Sequence, residues 1–171
     1  MKQTNSQIRG RIQSPFGGII PENILGRMKL GIASPDVLIN LKTLPDMNFI
    51  RFDNADGLRV GALATLDDLF ENRDVQKHYP VLAESIRLAA SPQLRNAATI
   101  GGNLMQHSRC WYYRGRFDCW LKGGDVCYAK TGENEHHAIF GGGPCYSVHL
   151  SDPAVALCAL EAEVQLYGRF L

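Results

Sequence analysis

The sequence has no closely spaced C-x2-4-C pair, no G-x-G-x-x-G fingerprint and almost no net charge, +1 at neutral pH. Each absence excludes something. Structural zinc sites usually rest on close cysteine pairs. A βαβ dinucleotide fold carries its glycine fingerprint between a strand and a helix. A chain this close to neutral has no electrostatic footprint for nucleic acid or for an acidic membrane surface. Apolar runs are too short to span a bilayer, and the N-terminal M-K-Q-T-N-S-Q-I-R-G-R lacks the apolar heart of a signal peptide. Neither a Ser-His-Asp set nor a pair of carboxylates stands at a credible catalytic spacing. Five cysteines, an odd number, in 171 residues do not make a small disulfide scaffold.

What is present reads as an ordinary globular domain, with 45% hydrophobic and 20% charged residues. Residues 1 to about 20 show no clean periodicity and form a lead-in ending at Phe16-Gly17-Gly18. Val37–Leu41 is a β-rich run bracketed by Pro35 and Pro45. Phe49–Phe52 and Leu58–Ala62 predict two strands, with D-N-A-D-G between them as a hairpin turn and Asp56-Gly57 supplying positive φ angles. Thr65 caps a helix whose first turn holds Asp67 and Asp68. A second helix follows Pro80, with Val81, Leu82, Ile86 and Leu88 as a partial apolar stripe, and Ser91-Pro92 ends it. Residues 104–150 form a long loop with little pattern, a length that is usually functional or disordered. Ser151-Asp152-Pro153 opens a helix, A-V-A-L-C-A-L-E-A, and E-V-Q-L-Y-G closes as a strand.

Four of the five cysteines, Cys110, Cys119, Cys127 and Cys145, fall in that loop, while Cys158 lies in an apolar run and reads as a core thiol. Four thiolates held by the fold suit an iron–sulfur cube. Gly115, Gly123, Gly124 and Gly141 to Gly143 let the chain wrap closely, and Trp111, Tyr112, Phe117 and Trp120 can shield such a cofactor from water. Zinc and plain free thiols remain the competing readings of the spacing. His107, His136, His137 and His149 lie in or near the loop, where one of them could ligate a metal or tune it, but solvated histidines are the commoner case.

The second motif is A-T-I-G-G-N. Thr99, Gly101, Gly102 and Asn103 can offer a hydroxyl, two unobstructed amides and a side-chain amide to a pyrophosphate, with Arg95 adding charge. A tight turn between strands is the bland alternative. Lys29 is a phosphate contact or a surface charge, and Asp152 a helix cap, a flavin contact, or both.

Taken in order, L-G-R-M-K-L-G…V-L-I-N-L, L-R-V-G-A-L-A-T-L-D-D-L, S-P-Q-L-R-N-A-A-T-I-G-G-N-L and H-L-S-D-P-A-V-A-L-C-A-L-E-A-E-V resemble the FAD-binding (medium) subunit of molybdenum hydroxylases, the xanthine dehydrogenase and carbon monoxide dehydrogenase family. The pattern R-C-W-Y-Y-R…C…C…G-G-G-P-C-Y-S-V-H-L-S-D resembles the branch with an extra [4Fe-4S] loop, as in aldehyde oxidoreductase and 4-hydroxybenzoyl-CoA reductase flavin subunits. The resemblance implies an α+β fold: residues 1–23 as lead-in, and 24–171 as part of a PCMH-type FAD-binding domain with its iron–sulfur loop at 104–150 and no C-terminal domain. It implies FAD contacts at Thr99, Ile100, Gly101, Gly102, Asn103, Arg95, Ser151, Asp152 and Lys29, and cluster ligation by Cys110, Cys119, Cys127 and Cys145. Gly17 and Gly18 stand where the family has its first phosphate loop, although F-G-G-I-I-P-E-N-I-L replaces A-G-G-T-D-L-L. Implied partners are a molybdopterin-binding large subunit and a [2Fe-2S] small subunit, with electrons passing through this chain to an external acceptor. The expected compartment is the cytoplasm, or the periplasm by co-export with a signal-bearing partner.

Overall fold

A computed structural model describes residues 15–16 and 24–166. Strand β1 (Pro15–Phe16) pairs in parallel with β2 (Ile39–Asn40), and helix α1 (Ile24–Lys29) lies between them in sequence. The β-rich run at 37–41 thus contributes two strand residues, both exposed, before a short 3-10 turn at Leu41–Thr43.

β3 (Ile50–Asp53) and β4 (Gly57–Val60) form the expected antiparallel hairpin. Its register pairs Ile50 with Val60 and Phe52 with Leu58 on the core side, and Arg51 with Arg59 on the solvent side. That is the period-2 alternation of a half-buried ribbon. Gly57 alone takes a positive φ, +77°. Asp56 does not; instead the Asp53 side chain accepts from the amides of Ala55 and Asp56 and folds the turn locally.

Helices then run in quick succession: α2 (Leu66–Glu71), α3 (Arg73–His78), α4 (Pro80–Leu88), α5 (Pro92–Ala97) and α6 (Ile100–Leu104). Thr65 caps α2 in a full capping box with Asp68. Asn72 and Ser91 cap α3 and α5 through their side chains. Ser91-Pro92 therefore ends one helix and begins another, which the sequence reading did not separate. Leu66, Leu69, Val75, Leu82, Ala83, Ile86, Ala98, Ile100 and Ala156 make the main core, with the hairpin's Ile50, Leu58 and Val60 against it. Tyr79 joins the two parts, its hydroxyl accepting from the Leu58 amide at 3.1 Å.

The segment 104–150 contains one short helix, α7 (Trp111–Arg114), and two 3-10 turns at Trp120–Lys122 and Tyr128–Lys130. It builds a second, smaller core from Tyr112, Tyr113, Cys119 and Ala129. The chain then returns to the main core through α8 (Asp152–Ala159). Two expectations fail here. Glu163 to Leu166 form no strand and are exposed. Cys158 is exposed rather than core, because α8 turns Pro153 and Ala156 inward and leaves Cys158 and Val155 outside.

Candidate functional site

The T-I-G-G-N segment is a turn of helix, not a loop between strands. Thr99 is its N-cap, its hydroxyl accepting from the Gly102 amide at 3.1 Å. The Ile100 amide donates to Ala64 O and the Gly101 amide to Ala62 O, both at 2.9 Å, and the Asn103 amide closes on Thr99 O at 2.9 Å. The four amides that a phosphate would seek are thus already satisfied within the fold. Gly101 is needed for a different reason than ligand approach. A Cβ there would stand 2.8 Å from Ala62 O and 2.9 Å from Ala62 Cβ, so the missing side chain lets α6 seat against the Gly61–Leu63 backbone.

Thr99, Asn103 and Ser151 are buried together. Ser151 Oγ donates to Asn103 Oδ1 at 2.5 Å and accepts from the Ala154 amide at 3.0 Å. Ser151, not Asp152, is the cap of α8; Asp152 is exposed in its first turn, where its charge suits the helix dipole. Arg95 is buried, and its Nη1 donates to the carbonyls of Arg87, Ala89 and Ala90, each at 3.2 Å, tying off the end of α4. Its Nε lies 3.9 Å from Asp67. Through Nη1 this guanidinium fills an internal structural role. Lys29 is exposed at the C-terminal turn of α1. Gly17 and Gly18 lie outside the described residues.

The thiols gather around the smaller core. Cys119 is buried in it, and Cys110 and Cys127 pack against it with Trp111, Tyr128 and Tyr146. Cys145, beside Tyr146, donates to Ser147 Oγ at 3.2 Å. Burial pushes the Cys110 thiol pKa up; the backbone amides of Tyr113 and Tyr112 pull it down, and the nearby Cys119 and Cys127 raise it again. Trp111 Nε1 is buried with no acceptor. A buried donor on the core that carries three thiols calls for an acceptor, and the sulfides of a sulfur-rich cofactor accept hydrogen bonds. Among the described residues, however, no three His, Cys, Asp or Glu side chains are disposed to hold a metal ion. Cys110, Cys119 and Cys127 share this small core, and the loop thiols do not close on a common point.

Two features escaped the sequence reading. His137 is buried, with Nε2 3.1 Å from Cys110 Sγ. Arg27, His107, Ser108, Tyr113 and Arg114 line a small cleft between α1 and the start of the loop. There Arg27 Nη1 lies 3.2 Å from His107 Nε2, and burial, then the Arg27 charge, lowers the His107 pKa. Both features join residues far apart in sequence, so no local pattern announced them.

Residues 22–169 match the family described as the FAD binding domain in molybdopterin dehydrogenase. The chain is 39% identical over 146 residues to the aldehyde oxidoreductase FAD-binding subunit PaoB of Escherichia coli (strain K12), covering 84% of this chain and 46% of that protein. It is 38% identical over 82 residues to the carbon monoxide dehydrogenase medium chain of Hydrogenophaga pseudoflava, covering 48% of this chain and 28% of that one. A solved carbon monoxide dehydrogenase chain from the same organism is 40% identical, covers 46% of this chain and 27% of its own, and has a TM-score of 0.42. The chain spans less than half the length of these relatives. With nearly its whole length matched, the chain belongs to the family of FAD-binding domains of molybdopterin dehydrogenases.

Proposed function

We propose that this chain is the flavin and iron–sulfur electron-transfer part of a molybdenum-hydroxylase-type complex, with Cys110, Cys119, Cys127 and Cys145 as thiolate ligands of a [4Fe-4S] cluster. The observation that carries this reading is the gathering of three of those thiols on one aromatic core, against which Trp111, whose indole N–H is buried and unpartnered, also packs. The similarity to the aldehyde oxidoreductase subunit lends support: a 146-residue match leaves too few of the 171 residues outside it to miss the loop from Cys110 to Cys127. Trp111, Tyr112, Tyr113 and Tyr128 would exclude water from the site, and the Tyr112 and Tyr113 amides would favour the thiolate of Cys110. Bound there, a cluster would supply a one-electron relay, and FAD a two-electron store, between the redox partners. Those partners are a molybdopterin-binding subunit and a [2Fe-2S] subunit, and the compartment is the cytoplasm.

For FAD the proposed contacts are the segment from Thr99 to Asn103 together with Ser151 and Asp152. The backbone of that segment does not fit a phosphate cradle, because its amides are spent internally. A second reading is favoured by this observation: a lobe that keeps the cluster and holds no flavin of its own.

One experiment separates the readings. The full chain is reconstituted anaerobically with iron, sulfide and FAD, then desalted. Iron, acid-labile sulfide, zinc and flavin are measured together with the absorbance spectrum. Four irons and four sulfides per chain with retained flavin support the first reading, and the same cluster without flavin supports the second. Stoichiometric zinc with no labile sulfide refutes both.

A further inference from the structure

The cleft between α1 and the start of the loop is lined by two guanidinium groups, Arg27 and Arg114, and by His107, Ser108 and Tyr113, with no carboxylate among the described residues. We propose that it binds one phosphate-class oxyanion, held by Arg27 and Arg114 with the hydroxyls of Ser108 and Tyr113, and that this anion ties α1 to the start of the loop.

Positive charge is gathered here. Residues 24–35 and 104–117 hold Arg27, Lys29, Arg109, Arg114 and Arg116 and no aspartate or glutamate, in a chain whose net charge is only +1. Two cationic segments that meet in one cleft repel each other unless an anion lies close by. Burial, then the Arg27 charge, lowers the His107 pKa, so this histidine is neutral at pH 7 and adds no charge of its own.

The side chains of the cleft are donors in search of acceptors. Arg27 Nη1 must donate to His107 Nε2, at 3.2 Å, because a guanidinium has no lone pair to offer. Arg27 Nε is buried without a partner. The carbonyls at the end of α1 are already engaged: those of Gly26, Arg27 and Met28 accept from the amides of Leu30, Ile32 and Gly31. A neutral ring nitrogen is therefore the one acceptor that the Arg27 side chain has among the described residues. The planar fork of an arginine is matched far better by an oxyanion.

Arg114 reaches the same cleft from α7. Its Nε donates to Ser108 O at 3.2 Å, which fixes the fork and leaves the terminal nitrogens without a protein acceptor among the described residues. Ser108 Oγ accepts from the Cys110 amide at 3.0 Å, so its own proton remains to be given. Tyr113 is 3% exposed, and its ring stacks on His107 at 6.1 Å between centroids. Its phenol is a further donor on the lining. A phosphate group carries acceptor oxygens on several sides, so it suits donors that arrive from both segments better than a planar carboxylate does.

The test titrates the full chain with inorganic phosphate by calorimetry in a low-salt buffer, with sodium chloride at matched ionic strength as control. The expected result is one phosphate per chain with a Kd of about 1 mM or tighter. Arg27→Gln and Arg114→Gln should each weaken binding by about tenfold or more, the effect of losing one hydrogen bond between charged groups. Arg59→Gln, which removes an exposed arginine of the hairpin, should bind as the parent does. No binding, binding that chloride reproduces, unchanged binding in either cleft variant, or an equal loss in Arg59→Gln overturns the proposal. Should a cleft variant fail to fold, side-chain nuclear magnetic resonance on the parent decides. Phosphate must shift the Nε–Hε signals of Arg27 and Arg114, and signals that stay in place overturn the proposal. Competition with ADP then identifies the source: displacement assigns the anion to the phosphate of a nucleotide, and phosphate retained beside excess ADP assigns it to the free oxyanion. Either result upholds the site.

Discussion

Replacing Gly101 by alanine tests whether that residue serves packing. The new Cβ would meet Ala62 O at 2.8 Å and Ala62 Cβ at 2.9 Å, distances that demand movement. Neither contact is the tip of a flexible side chain. The carbonyl is held by the Gly101 amide itself at 2.9 Å, and the adjacent Ile100 amide is held by Ala64 O at the same distance. Relief therefore stretches one or both of these bonds. Overpacking of this kind costs about 1–3 kcal/mol, and a lost amide bond about 1 kcal/mol more. Against this, alanine gains at most about 1 kcal/mol over glycine in a helix interior. The net expectation is a loss of about 1–3 kcal/mol, which lowers Tm by roughly 2–12 °C for a domain of this size. Thermal and urea unfolding of the two proteins, both without added flavin, measure it. A Gly101→Ala protein as stable as its parent would refute the packing argument. The same geometry makes Gly101→Val a poor flavin-binding probe, since its first effect is on the fold.

Three further outcomes are expected. Thr65→Ala removes half of the capping box on α2 and should cost about 1 kcal/mol in urea unfolding; an unchanged midpoint would show that Asp68 alone suffices. His107 has a lowered pKa from burial and the Arg27 charge, so the fold prefers its neutral form. Its contribution is complete above the unfolded value of about 6.5 and is lost as pH falls toward the lower folded value, so His107→Gln should flatten the fall in stability below about pH 6.5; parallel pH curves would exclude this. Alkylation with a maleimide, read by peptide mass, should modify exposed Cys158 first and buried Cys119 last; the reverse order would contradict the placement of α8.

The hairpin and the α2 cap were legible because their signals are local: alternation at Ile50 to Phe52, a glycine at the turn, and a threonine three residues before an aspartate. Ser91-Pro92 carried two messages at once, since the pair that stops α4 also starts α5. Cys158 misled because A-V-A-L-C-A-L is apolar all round, so its sequence does not say which face is buried. The structural part that Arg95 plays was not legible because its partners are not local. The three carbonyls that hold it belong to the end of the preceding helix, Arg87 to Ala90. The amides of residues 100–103 looked free for the same reason: two of their acceptors, Ala62 and Ala64, lie well upstream.

The bond between Asn103 and Ser151 has a topological consequence. These residues lie 48 positions apart, yet their side chains touch, and just inside them His149 Nε2 sits 3.0 Å from Leu104 O. The thiol-bearing excursion thus leaves and rejoins the helical scaffold through a narrow neck, and carries its own aromatic core beyond it. Closure entropy grows only with the logarithm of loop length, so exchanging such an excursion for a turn of a few residues changes the closure cost by about 2 kcal/mol. A scaffold with such a neck can gain, lose or trade a redox module as one piece while the packing of its helices stays the same.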